Sequence, residues 1–117
     1  MTSTNMDEIE KLNKDIFTKQ QKIIQINNVI NNNELKYENN IMEKQKKTDR
    51  IMSIIGEMTL RRDDHLINHV IHIYKQILVI NMDIKEHAKQ KKILIDHLHT
   101  LQKELEYLNI VLNYKIQ

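Results

Sequence analysis

The sequence predicts an all-α fold, in which two long helices form an antiparallel coiled-coil hairpin within a larger helical bundle. Three observations support this prediction. The 117 residues include no proline, one glycine and only 4% aromatic residues, a composition that favours long helices over a compact globular domain. Apolar residues recur every three or four positions along two stretches, as expected for helices that pack lengthwise. A short charged interval separates the two stretches, which indicates a turn within a single elongated domain, 1–117.

Arm one is predicted for about residues 5–56, with Thr4 or Asn5 as the helix cap. Its apolar stripe alternates steps of three and four residues as Ile9, Leu12, Ile16, Lys19, Ile23, Ile26 and Ile30. Asn33, Tyr37 and Ile41 follow with two consecutive steps of four. This irregularity predicts a stutter, which unwinds a supercoil locally without ending the helix. After it, the stripe is predicted to continue through Ile41, Lys44, Thr48, Ile51, Ile55 and Met58.

The turn is predicted at about residues 56–65. The interval 61–65 contains no apolar residue, and Gly56 precedes it, where glycine can serve as a helix C-cap. Thr59 or Asp63 can cap the following helix. The apolar stripe also changes phase across this interval. The alternative is one continuous helix, because a lone glycine costs a helix only about 1 kcal/mol.

Arm two is predicted for about residues 63–115 and carries the clearest pattern in the chain. One heptad stripe, with only two polar interruptions, predicts a coiled-coil interaction seam along one side of the helix. Its aliphatic members are Leu66, Val70, Ile73, Ile77, Ile80, Ile84, Leu94, Leu98, Leu101, Leu105, Leu108 and Leu112.

The two polar interruptions of the seam are His87 and Lys91. An antiparallel hairpin folded near residue 60 places Asn33 opposite His87. We therefore predict that Asn33, His87 and Lys91 form a polar layer that fixes the register of the two helices. The alternative for His87 is a pH sensor, since a partly buried imidazole changes its charge near neutral pH.

A wider apolar strip beside the seam predicts a partner surface. Ile67, Ile71, Tyr74 and Leu78 lie next to seam residues, although a two-stranded coiled coil needs only the seam itself. The expected partners are other helical proteins or a second copy of this chain.

No catalytic, cofactor-binding or metal site is predicted. His65, His69 and His72 follow one helix stripe, and two histidines four residues apart can chelate zinc, but a third ligand would have to come from elsewhere. No nucleophile elbow or acid–base pair is visible, and a single glycine excludes glycine-rich phosphate loops. We expect neither an enzyme nor a small-molecule substrate.

The predicted function is that of a non-enzymatic coiled-coil interaction subunit, acting as a structural scaffold or tether. The alternative is a nucleic-acid-associated helical protein that uses two basic clusters. The clusters are Lys44, Lys46, Lys47 and Arg50, and Lys85, Lys89, Lys91 and Lys92. Nucleic-acid binding is the less favoured function, because no aromatic residues are interleaved for base stacking and the net charge is only +2.

The expected location is intracellular and soluble, in the cytoplasm or nucleus. The chain contains no cysteine, and residues 1–13 are polar and carry acids, unlike a signal peptide. The longest aliphatic run, residues 77–80, is too short to cross a bilayer, so no membrane insertion is expected.

Overall fold

A computed structural model describes residues 2–61 and 63–117, without the side chains of Thr2 and Ser3. Helix α1 spans Thr2–Met58 and helix α2 spans Asp64–Ile116. The predicted all-α helical hairpin is confirmed. Helices of this length are possible because the chain has no proline to remove a backbone donor and kink the helix.

The predicted helix caps of α1 are wrong at both ends. The helix begins at Thr2, so Thr4 and Asn5 lie inside it. At the other end the helix continues past Gly56, which does not adopt the positive φ of a glycine C-cap. The helix ends instead at Met58, where the Thr59 amide still donates to the Ile55 carbonyl at 3.1 Å.

Helix α2 begins with a cap at Asp63, one of the two residues predicted for this role. The Oδ1 atom of Asp63 accepts a hydrogen bond from the His65 amide at 2.9 Å. The Asp63 carbonyl accepts the first helical bond, from the Ile67 amide. Thr59 is not a cap, since its hydroxyl donates to the Gly56 carbonyl of the preceding helix.

The chain divides into two compact units. The terminal unit comprises residues 2–31 and 91–117, and the turn unit comprises residues 32–90. Each unit contains a segment of α1 and a segment of α2.

In the terminal unit, the two helical segments run antiparallel. Lys19 lies 2.5 Å from the Glu104 carboxylate, and Lys115 contacts Glu8. The later of these two α1 residues therefore contacts the earlier of the two α2 residues, as antiparallel helices require. The buried aliphatic residues of this unit are Ile16, Ile26 and Leu101.

In the turn unit, the helices are also antiparallel. Ile54, Ile73 and Ile77 form a buried cluster, against which Ile51, Met58, Leu66 and Val70 pack. Lys47 donates a hydrogen bond to Gln76 at 2.9 Å, farther from the turn.

The stutter predicted in α1 is wrong. Ile54 is fully buried, whereas Ile55, the predicted stripe member, is 40% exposed. Ile41 and Thr48 are likewise exposed, while Asn40 and Lys47 are half-buried. The stripe therefore keeps its alternation of three and four throughout α1, as Asn33, Tyr37, Asn40, Lys44, Lys47, Ile51, Ile54 and Met58. The prediction followed apolar residues, but polar residues occupy several seam positions here.

Candidate protein-interaction surface

The seam of α2 lies against α1 within each unit. All twelve aliphatic residues predicted for it are buried or half-buried. Ile73 and Ile77 are buried in the turn unit, and Leu101 is buried in the terminal unit. This agrees with a stripe whose 3.5-residue period keeps one side of the helix facing its neighbour.

The predicted polar layer is divided between the two units. Asn33 and His87 belong to the turn unit, where both line an open polar cleft of about 450 Å³. The His87 ring stacks on Tyr37 with centroids 4.7 Å apart, and its Nε2 atom lies 3.3 Å from the Glu34 carboxylate. Lys91 belongs to the terminal unit and is exposed to solvent.

One flank of the turn unit is polar directly beside the seam. The cleft at His87 is lined by Lys36 of α1 and by Asp83 and Gln90 of α2, which places these three on the same side of the seam. The Lys47–Gln76 hydrogen bond lies on this side as well. Heptad spacing extends this polar flank to Lys36, Glu43, Arg50 and Glu57 of α1 and to His69, Gln76, Asp83 and Gln90 of α2.

The opposite flank of the turn unit is uncharged near the turn, over residues 41–55 of α1 and 67–81 of α2. In an antiparallel pair, the residues that directly follow the seam positions of both helices lie on the same side of the seam. This apolar flank comprises Ile41, Gln45, Thr48, Met52 and Ile55 of α1, and Ile67, Ile71, Tyr74, Leu78 and Asn81 of α2. It contains all four residues of the predicted partner surface, together with isoleucines of α1 that sequence analysis assigned to the seam.

Most of the apolar flank is accessible to solvent. Met52 is 63% exposed, Tyr74 is 56% exposed and Leu78 is 44% exposed, while Ile67 is half-buried against the seam. Thr48 does not make the surface polar, because its hydroxyl donates to the Lys44 carbonyl of its own helix at 2.8 Å. The flank therefore presents uncharged side chains that a further helix could cover, with Lys44 of the seam beside Leu78 and Asn81 at its edge.

The terminal unit differs in its corresponding flank. The equivalent positions directly beside the seam are mostly amides: Asn13, Gln20 and Asn27 of α1, and Gln102 and Asn109 of α2, with Met6, Ile95 and Ile116 as the apolar exceptions. Phe17 and Ile24 of α1 are exposed in this unit. The corresponding stripe of α2 carries His99 and Glu106, so these two apolar side chains do not extend into a second apolar row.

The first basic cluster does not form one exposed surface. Lys44 and Lys47 occupy seam positions and are half-buried, whereas Lys46 and Arg50 are exposed. In the second cluster, Lys85, Lys89, Lys91 and Lys92 are all exposed. Phosphate contact by the first cluster would therefore rely on only part of its charge.

The three neighbouring histidines remain solvent-exposed. His72 approaches the Gln76 amide at 3.3 Å, one helical turn farther along α2. In the part of the chain that the structure describes, no group of three histidine, cysteine, aspartate or glutamate residues is placed to hold a metal ion.

The Glu104 carboxyl of α2 has a shifted pKa. The hydrogen bond and the charge of Lys19 hold the pKa of the Glu104 carboxyl below its ordinary value. This ion pair joins the two helices of the terminal unit on an exposed edge, where its energetic contribution is small.

Comparisons with protein-family models, with curated proteins and with solved structures gave no match. Neither α1 nor α2, over their described residues, combines the length and the apolar character needed to cross a membrane.

Proposed function

We propose that this chain is a non-enzymatic coiled-coil interaction subunit that assembles with itself or with other helical proteins as a structural scaffold or tether. The observation that supports the proposal most directly is the difference between the two flanks of the turn unit. Every position of the polar flank is charged or polar, whereas the apolar flank has no charged residue from Ile41 to Ile55 of α1 or from Ile67 to Asn81 of α2, and Glu38 and Lys85 follow only at its end away from the turn. A helix pair that only needed to remain in solution would have no reason for this asymmetry.

The physical argument is the burial of apolar surface. Covering exposed apolar area contributes about 25 cal/mol per Å², and contiguous apolar patches commonly mark protein interaction sites. The apolar flank runs parallel to the seam along both helices, so a helix or a helix pair can pack along it. The result is a larger helical bundle with the flank inside. The proposed setting is intracellular, which suits a chain without cysteine.

The test compares two neighbouring exposed residues of α2. Leu78 lies on the apolar flank, whereas Val79 is 59% exposed and points away from it. We expect Leu78→Glu to abolish association of the purified chain in sedimentation experiments and to abolish capture of helical partners from extract. Val79→Glu should preserve both, and circular dichroism should show the same helicity for both variants.

Equal behaviour of the two variants would contradict the proposal. So would a wild-type chain that stays monomeric at micromolar concentration and captures no helical protein. Nucleic-acid binding that weakens steeply with added salt would favour the alternative function instead, because phosphate contacts release counterions whereas apolar contacts do not.

A further inference from the structure

We propose that the apolar flank is covered by the same flank of a second copy, related by a two-fold axis parallel to the helices. This inference rests on the proposed function and specifies its partner. Each flank contributes one row from α1 and one row from α2. A two-fold axis parallel to the helices lays α1 of one copy on α2 of the other, and the four segments form a bundle of alternating antiparallel neighbours.

The register within one copy determines which residues meet. Lys47 and Gln76 lie at the same level along the turn unit, as their hydrogen bond shows. Equal steps along the two antiparallel helices place Met52 at the level of Ile71. In the proposed dimer, Met52 of one copy therefore packs on Ile71 of the second copy, and Ile55 packs near Ile67 by the same rule.

Charge complementarity selects this arrangement. Equal steps away from the turn, counted from Lys47 in α1 and from Gln76 in α2, place Glu38 at the level of Lys85. Both residues continue the rows of the apolar flank away from the turn. With the axis parallel to the helices, Glu38 of one copy faces Lys85 of the second copy, and the symmetry forms this pair twice. An axis perpendicular to the helices would instead lay α1 on α1 and carry Glu38 toward the uncharged, turn-proximal part of the flank, where its charge would lose solvent without a partner.

The first experiment reverses the two charges. We expect Glu38→Lys and Lys85→Glu each to raise the dimer Kd about tenfold, since each variant replaces two exposed attractions by two repulsions. The double variant should restore the wild-type Kd to within about threefold. Glu43→Lys, on the polar flank, is the matched control and should leave the Kd unchanged.

The second experiment uses the absence of native cysteine. Copies with Met52→Cys are mixed with copies that carry Ile71→Cys and are mildly oxidised. The proposal expects disulfide-linked dimers that contain one copy of each kind, and little linkage in Met52→Cys alone. Preferential linkage of Met52→Cys copies to each other would overturn the axis, because it would show α1 on α1.

The outcomes separate this inference from the proposed function. A purified chain that stays monomeric, yet captures another helical protein through Leu78, would overturn the second copy as the occupant and leave the interaction function standing. A double charge variant that dimerises no better than the single variants would overturn the proposed axis. A chain that neither self-associates nor captures a helical protein would overturn both proposals.

Discussion

The α1 seam of the terminal unit is almost entirely aliphatic, whereas the α1 seam of the turn unit includes polar residues and leaves apolar residues on one flank. In the terminal unit, Lys19 is the one α1 seam residue between Ile9 and Ile30 that is not aliphatic. In the turn unit, the α1 seam includes Asn40 and Lys47, while Ile41 and Ile55 lie outside it. Both units leave apolar side chains exposed, and in the turn unit Ile41 and Ile55 of α1 join Ile71 and Leu78 of α2 on one flank.

Under the proposed function, this difference suits the two units to different roles. An aliphatic seam with a mostly amide row beside it stabilises a helix pair and offers a further helix fewer apolar contacts next to the seam. A seam with polar positions contributes less from burial, but it limits the registers in which the helices can pair. The turn unit combines such a seam with the apolar flank, which is the arrangement expected of the region that associates.

The largest expected effect tests the phase of the seam in the turn unit. Ile54→Ala should lower the free energy of unfolding by about 3 kcal/mol, because it opens a cavity between Ile54, Ile73 and Ile77. Ile55→Ala is the matched control and should cost about 1 kcal/mol or less, since Ile55 is 40% exposed. Hydrogen exchange of turn-unit amides, at a protein concentration low enough to avoid association, measures both. A larger loss in the free energy of unfolding for Ile55→Ala than for Ile54→Ala would show that Ile55 occupies the seam, as the predicted stutter requires. The α1 seams of the two units would then not differ in the way described.

A smaller effect tests whether polar seam positions limit the stability of the turn unit. Asn40→Leu should raise its free energy of unfolding by about 1 kcal/mol, because the half-buried Asn40 position can bury part of a leucine. The neighbouring Asn39 is exposed, so Asn39→Leu should have almost no effect. Denaturant midpoints of the two variants give the measurement. Equal midpoints would show that Asn40 does not occupy the seam.

The smallest effect concerns the edge of the terminal unit. Lys19→Met should return the pKa of Glu104 toward its ordinary value, because Lys19 is the principal cause of its lowering. The pKa of Glu104 is lower in the folded state than in the unfolded state. The stabilisation that Lys19 and Glu104 give to the folded state is therefore present above pH 4.5 and is lost as the pH falls through the folded pKa. Carboxyl titration by NMR measures the shift, and added salt should reduce it.

Lys22→Met is the control for this titration. Lys22 lowers the pKa of Glu104 through its charge alone and contributes less than Lys19. Its removal should therefore move the Glu104 titration less than removal of Lys19 does. The reverse order would show that the contact between Lys19 and Glu104 is not what sets the titration.

Helix α2 could be predicted almost completely from its sequence, whereas α1 could not. From Leu66 to Leu112 the seam positions are aliphatic with two exceptions, so the period identifies the buried side without ambiguity. In α1, Ile54 and Ile55 are adjacent and chemically identical, and both fit a helical stripe when read with different neighbours. Nothing in composition distinguishes the buried isoleucine from the exposed one.

The polar seam residues explain why the seam of α1 could not be predicted correctly between Asn33 and Met58. A half-buried lysine such as Lys47 keeps its ammonium group at a polar partner while its aliphatic stem covers the seam. In a sequence, such a lysine looks the same as one on a solvated surface. The cap at Asp63 could be predicted, because a short acidic side chain directly before a helix meets a local backbone need.

The sequence by itself determined that the chain forms two helices and which side of α2 is buried, because both follow from local properties: the absence of proline, a cap at Asp63 and a sustained heptad period. The tertiary structure decided which side of α1 faces α2, and hence that Ile41 and Ile55 join Ile71 and Leu78 on one flank. The physical reason is that these side chains are buried only where the two helices meet, so their burial depends on the sequences of both helices. Polar residues enter the seam of α1 when the facing helix supplies contacts that stabilise them, and the sequence of α1 alone does not contain that information.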